Sequence, residues 1–181
     1  NGATLASGRV LTATGNARID GDFVNQGVVR GPTAAGQVLN FTDAVTGAGS
    51  FAGRVKFSGA YAPGNSPAQV NIEHATFGAA NTLIMELGGT TAGTQYDQIL
   101  ASGTVFLDGG VQVDLIDGFG PSIGDTFTLI TAASLGGAFD ANAITLPTLD
   151  AGTWQWGQSS QALTLSVVAV PERRVEVDEV Q

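Results

Sequence analysis

The chain has no cysteine, which excludes disulfide bridges and thiolate metal sites. Basic residues are scarce: Lys56 is the sole lysine, and Lys plus Arg total 7 against 16 Asp plus Glu. The resulting net charge of −9 provides no basic surface of the kind that phosphate binding needs, so nucleic acid is not an expected partner. Charged residues of both signs reach only 13%, about half the usual ~25% of a soluble domain. No apolar run reaches the ~20 residues of a membrane-crossing helix, so the chain carries no expected membrane span. Helix signals are equally sparse, since few windows combine Leu, Glu, Lys and Ala at a 3.6-residue period. No signal peptide is visible, and Asn1 in place of Met reads as a processed end or a fragment boundary.

What is abundant is glycine, with 26 residues, set among Val, Thr, Leu, Ile and Phe. The β-branched and aromatic residues favour strands, and glycine ends them. The composition is that of an all-β chain with many turns. Its 181 residues suit one domain or one continuous solenoid. In the first third the apolar segments are short, several of only three to five residues: Arg9-Val10-Leu11-Thr12-Ala13, Ala17-Arg18-Ile19-Asp20, Phe23-Val24, Val28-Val29-Arg30 and Gln37-Val38-Leu39-Asn40-Phe41. Strands of a sandwich average about five to six residues. Shorter strands punctuated by Gly, Asn or Asp fit a parallel β-helix instead, with rungs on the order of 20 residues. Phe23, Phe41, Phe51, Phe57 and Phe77 are expected to line one interior edge of that coil.

Later segments alternate more cleanly. Val111 to Leu115 alternates and reads as a strand with one wet face, Asp125 to Thr131 also alternates, and Thr82 to Leu87 reads as a strand before a Gly-Gly turn. Thr153 to Trp156 and Ala162 to Val168 read as a closing hairpin, the cap that a solenoid needs at an open end. The expected organisation is a single β-solenoid over 1–170, with irregular rungs over 1–81 and regular strands plus cap over 82–170. A charged tail follows over 171–181.

Charge is distributed unevenly. Residues 1–56 carry Arg9, Arg18, Arg30, Arg54 and Lys56 against Asp20, Asp22 and Asp43. Residues 57–170 carry acids only, from Glu73 to Asp150. A mildly basic end and an acidic remainder suit solubility, and also head-to-tail attraction between copies. Arg9, Arg18 and Arg30 are the residues expected at such a contact. In the tail, Val175 and Val177 alternate with charges, the pattern of a strand that adds to an edge of a neighbouring subunit.

Catalytic chemistry finds little support. His74 is the single histidine, and Ser66 or Ser102 with Asp97 would be needed to complete a Ser-His-Asp set. No nucleophile-elbow motif accompanies them. Asp20 with Asp22 and Asp114 with Asp117 are acid pairs without a calcium-loop pattern, and read as turns or a solvated face. Asp97 reads as a turn cap bonding backbone N–H groups. Thr126 and Thr128 form one Thr-x-Thr pair, where an ice-binding face would repeat it on rung after rung. Trp154 and Trp156, two apart on one strand face, either cover the end of the core or stack on sugar rings. No cofactor or metal is expected.

The set Gly59 to Pro67, Leu83 to Thr91, Tyr96 to Leu100, Gly124-Asp125-Thr126-Phe127 and Ile144 to Trp156 resembles the C-terminal part of autotransporter-type β-helix passenger domains. It is similar too to bacterial surface proteins built from autotransporter-associated β-strand repeats. The resemblance covers about residues 40–170. It implies a right-handed parallel β-helix with a C-terminal β cap, on a secreted or cell-surface protein. Val170-Pro171-Glu172 resembles the start of a Pro-Glu-Pro sorting signal, but Arg173 stands where the second Pro would be and no membrane span follows. The expectation is a non-enzymatic extracellular structural protein that associates with its own copies into a fibre, surface layer or biofilm matrix. The alternative is a monomeric adhesin or passenger fragment that binds surface polysaccharide through Trp154 and Trp156. A β-helix enzyme acting on polysaccharide is the third reading.

Overall fold

The structure is a computed structural model that describes residues 2–64 and 66–171. Val175 and Val177 lie outside the described residues. No α-helix occurs among the described residues, and one 3-10 turn spans Ala141–Ala143. The strands are β1 (Ala3–Leu5), β2 (Val10–Thr12), β3 (Ala17–Ile19), β4 (Phe23–Asn25), β5 (Val28–Arg30), β6 (Leu39–Phe41) and β7 (Val45–Gly47). Then come β8 (Ser50–Phe57), β9 (Tyr61–Pro63), β10 (Gln69–Phe77), β11 (Thr82–Leu87), β12 (Gln98–Leu107), β13 (Gly110–Leu115) and β14 (Thr126–Gly137). The last are β15 (Ile144–Thr145), β16 (Thr153–Gln158) and β17 (Ala162–Val168).

Two sheets take up these strands. The first has the order β1-β4-β7-β9-β11-β13-β15, and its paired strands are parallel throughout. The second runs β16-β17-β14-β12-β10-β8-β5-β2, with β3 and β6 joined to it through β8. The chain is therefore all-β with parallel sheets, and it contributes to one sheet and then the other as it advances. Early on, the second sheet receives two short strands per pass. From β8 onward it receives one long strand, whose first half pairs with β5 and whose second half pairs with β6.

Strand alternation explains the core. β8 and β11 alternate buried with half-buried positions without a break, so one face of each is apolar and covered. Phe51, Val55 and Phe57 point inward from β8, as do Leu83, Met85 and Leu87 from β11. Between the sheets runs a column of rings: Phe23 to Phe41 at 5.2 Å, Phe41 to Phe57 at 5.8 Å and Phe57 to Phe77 at 5.7 Å between centroids. Phe51 stands edge-on beside Phe41, Phe57 and Tyr61. These are offset-stacked and edge-to-face geometries, the arrangements favoured by the ring quadrupole. The column expected from sequence thus has four members in line and Phe51 at right angles to them.

Two strands run unbroken across a glycine. Ser50–Phe57 crosses Gly53, and Gln98–Leu107 crosses Ser102-Gly103. His74 sits inside β10, and β14 runs on to Gly137. The interior glycines mark bends, not ends. Register slips between Ile72 and His74 against β8, and between Ile72 and Ala75 against β12, place a bulge at the same level of three adjacent strands. At Gly53 the backbone has φ +70°, and a Cβ there would run into the Gly31 carbonyl, so no other residue fits.

At its far end the second sheet changes direction. β14 pairs antiparallel with β17, and β17 with β16, which is the closing hairpin the sequence pattern indicated.

Candidate functional site: the first-strand edge and the bent outer face

Arg9, Arg18 and Arg30 gather near the first strands. β1, β2 and β3 pair on one side with β4, β5 and β6, and have no strand on the other side among the described residues. Their inward side chains show it. Leu11 and Ile19 are half-buried, whereas Val29 and Phe41, the residues they face one strand deeper, are buried. Val10 is 53% exposed. Arg18 donates to the Asp20 carboxylate, and Asp20 also accepts from the Thr42 hydroxyl at 2.8 Å. Asp43 accepts the Gly21 N–H at 2.8 Å and lies 2.7 Å from the same Thr42 hydroxyl, whose one proton the two carboxylates share. The hydrogen bond from Arg18 holds Asp20 below the usual carboxylate range, and the Gly21 N–H does the same for Asp43. Arg18 is thus engaged locally. Arg9 and Arg30 are exposed and have no ion-pair partner among the described residues.

Trp154 and Trp156 lie on β16, both half-buried. The Trp154 indole N–H donates to the Pro147 carbonyl at 2.8 Å, and its ring meets Phe127 at 6.2 Å. Trp156 stands edge-on to Phe139 at 6.2 Å. The polar atom of Trp154 is therefore satisfied within the chain, and both rings lie against the core.

Asp97 is 1% exposed and does more than cap a turn. One carboxylate oxygen accepts the Ala68 N–H and the other the Glu86 N–H, each at 2.8 Å. It thereby ties the start of β10, in the second sheet, to β11, in the first. Burial pushes its carboxyl up to about 7, against the pull of those two N–H groups. Beside it the Gln69 side-chain amide donates to Gln98 at 2.8 Å, and the Gln98 amide donates to the Thr128 carbonyl at 2.9 Å. This amide row crosses β10, β12 and β14. The Tyr61 hydroxyl is buried without a hydrogen-bond partner among the described residues, and burial, with Asp97 nearby, pushes it up.

His74 lies on the outer face of the second sheet. Its Nδ1 accepts the Thr104 N–H at 3.0 Å, and its Nε2 stands 3.8 Å from a Glu73 oxygen. The other Glu73 oxygen accepts the Gly53 N–H at 2.7 Å. Gly103 has no Cβ, which leaves room for the imidazole ring beside it. The Ser-His-Asp set considered from sequence is not assembled, because Asp97 is committed to Ala68 and Glu86 while Nδ1 is taken by a backbone N–H. Asp114 accepts from the Gln112 amide at 2.9 Å, and Asp117 occupies a turn with φ 54°. No group of three or more His, Asp or Glu placed to hold a metal ion occurs among the described residues. No helix among them is long and apolar enough to cross a membrane.

The sequence reading passed over one juxtaposition. Arg54 and Lys56 of the basic segment lie beside His74, Thr104 and Phe106 of the acidic one, around a hollow of about 310 Å³. Alternation places each of these residues outward, but only the strand register shows that they meet. No protein-family model matches the chain, and no curated protein matches it.

Proposed function

We propose that the chain is a right-handed parallel β-helix with a C-terminal β cap. In this reading it serves as a non-enzymatic structural protein at a bacterial cell surface, adding copy to copy into a fibre, surface layer or matrix. The observation that carries the reading is the edge of β1, β2 and β3. Its backbone groups have no strand partner among the described residues, and Leu11 and Ile19 are half-open beside a closed core. An unpaired strand edge is a template for another strand, and a second copy supplies one at β15, the opposite edge of the first sheet. Such a head-to-tail contact does not close on itself and generates a filament. Charge favours the same polarity, with Arg9 beside β2, Arg30 one strand in on β5, and Asp140 and Asp150 exposed near the last strands.

Sedimentation and negative-stain electron microscopy of the purified chain across concentration and salt test this. Filaments that shorten as salt rises are expected. A double Leu11→Lys, Ile19→Lys variant that keeps its β-sheet circular dichroism should remain monomeric. A chain that stays monomeric at every concentration and salt overturns the proposal. Removing residues 171–181 should weaken assembly if Val175 and Val177 add a strand to the neighbour. Unchanged filaments would take the tail out of the account.

A further inference from the structure

We propose that the bent outer face over β8, β10 and β12 binds a carboxylate-bearing saccharide. His74 stands opposite Arg54, and Thr76 stands opposite both Lys56 and Phe106. Val55, Ala75 and Val105, which separate these residues along their strands, are buried. Arg54, Lys56, His74, Thr76, Thr104 and Phe106 therefore all project to the same side. Adjacent strands are ~4.8 Å apart, so neighbouring members of the group lie within reach of one small ring.

Three observations indicate what such a ring carries. The first is charge. The sole lysine and one arginine of a −9 chain meet here beside His74, and no carboxylate is among the residues lining this hollow. Arg54 and Lys56 have no ion-pair partner among the described residues. The Arg54 Nε is buried without an acceptor among the described residues, so it is the Nη groups that would meet an anion from solvent. Glu73 is the nearest acid, and its Oε2 is occupied by the Gly53 N–H. The second is the aromatic. Phe106 is 50% exposed beside these cations, a flat apolar surface with a charged rim. The third is shape. The hollow adjoins a second one of about 470 Å³ that shares His74 and is lined in part by Asn71, Glu73 and Ser102. The two together hold more than a single sugar unit.

A flat ring against Phe106, hydroxyls facing Thr76, Thr104, Asn71 and Ser102, and a carboxylate on Arg54 and Lys56 meet all three. The site is remote in sequence from Trp154 and Trp156, and it does not depend on self-association, because it lies on one copy.

Titration of dilute chain with an oligogalacturonate trimer, followed by calorimetry and by NMR shifts, tests the proposal. The trimer should bind and the uncharged galactose trimer should not. The double variant Arg54→Gln, Lys56→Gln should weaken binding by at least about tenfold, the scale of a lost charge-assisted pair. Phe106→Ser should weaken it several-fold, and Trp154→Ala should leave it unchanged. Lys56→Gln alone serves if the double variant melts early. Equal binding of the neutral trimer, equal binding by the charge variants, equal binding of a ring-free sulfonate polymer or no binding at millimolar trimer overturns the proposal.

Discussion

The first seven strands and the later ones solve the same problem differently. From β1 to β7 every strand has three residues. Partners on adjacent strands lie close in sequence, from 16 residues (Val45 to Tyr61) to 22 (Phe23 to Val45). Further along, β10, β12 and β14 run to 9, 10 and 12 residues. From β10 onward, the partner on the next parallel strand lies farther along the chain, from 28 residues (Thr82 to Gly110) to 33 (Val111 to Ile144). Strands so short provide few ladder bonds each, and the early region compensates through side chains. Asn25 is fully buried, accepts the Gly27 N–H at 3.1 Å and donates to the Ser50 carbonyl at 3.2 Å. Asn16 and Asp43 reach backbone N–H groups 22 residues away. The later region has long ladders as well as polar ties such as Asp97 and the Gln69–Gln98 row. Short strands therefore lean on side chains bonded to neighbouring backbone, whereas long strands add such bonds to ladders that already hold.

The largest expected effect probes where those two regimes meet. Phe57 is fully buried, stacked on Phe41, Phe77 and, at 4.1 Å, Tyr61. Phe57→Ala should cost about 3–5 kcal/mol of unfolding free energy in a urea titration. Leu11→Ala, at the half-open edge, should cost about 1 kcal/mol because little area is covered there. Equal losses would mean that the edge is as well buried as the centre, and the contrast between the regions would fail.

Asp97 sharpens the comparison from the polar side. Asp97→Ala leaves the Ala68 and Glu86 N–H groups without their acceptor, at about 1–3 kcal/mol for each buried orphan. Titration gives the finer test. Burial raises the folded pKa above the unfolded value of 3.8 to about 7, so the folded state holds this proton more tightly. That contribution is fully present below about pH 4 and is lost as pH rises through about 7. Thermal melts of the wild-type chain should therefore fall across that window relative to Asp97→Asn, which does not titrate. Parallel melting curves for the two chains would show that the two N–H bonds, not burial, set the protonation of Asp97.

Hydrogen exchange compares the regions amide by amide. The amides of β2 and β3 should exchange through openings of lower free energy than those of β10 and β12, by at least about 2 kcal/mol. Uniform protection from β2 to β14 would make the whole chain one cooperative unit and remove the distinction.

The strand content was legible wherever alternation was sustained. Val111 to Leu115 and Ala162 to Val168 declare their wet and dry faces residue by residue, and the closing hairpin follows from the second of these and the Trp154 segment. Glycine was the ambiguous letter. Gly53 and Ser102-Gly103 look in sequence like the turns at Gly88-Gly89, yet they are bends inside strands, because neighbouring strands bulge at the same level. Local composition cannot separate those cases, since the difference lies in pairing across the sheet. The same limit hid the outer-face cluster. Arg54, His74 and Thr104 are 20 and 30 residues apart, and their meeting depends on a register that varies from strand to strand. Asp97 was read as a backbone-bonding group, but the bonds it makes span two sheets.

The smallest effect belongs to Arg18. Its bond to Asp20 joins two exposed side chains, and exposed pairs are weak because water screens them and ordering long side chains opposes them. Arg18→Gln should leave the melting temperature at neutral pH within error, more clearly so at high salt. Asp43 is different though no more covered, because it holds the Gly21 N–H, a backbone group of the turn into β4. Its carboxyl is held below the ordinary value, so its contribution is present above about pH 4 and lost as pH falls through the folded value. Asp43→Asn should flatten the acid side of the stability profile, and Arg18→Gln should alter it less. If Arg18→Gln has the larger effect, the early corners are held by ion pairs and not by side-chain bonds to backbone, and the polar half of the comparison must be rebuilt on charge.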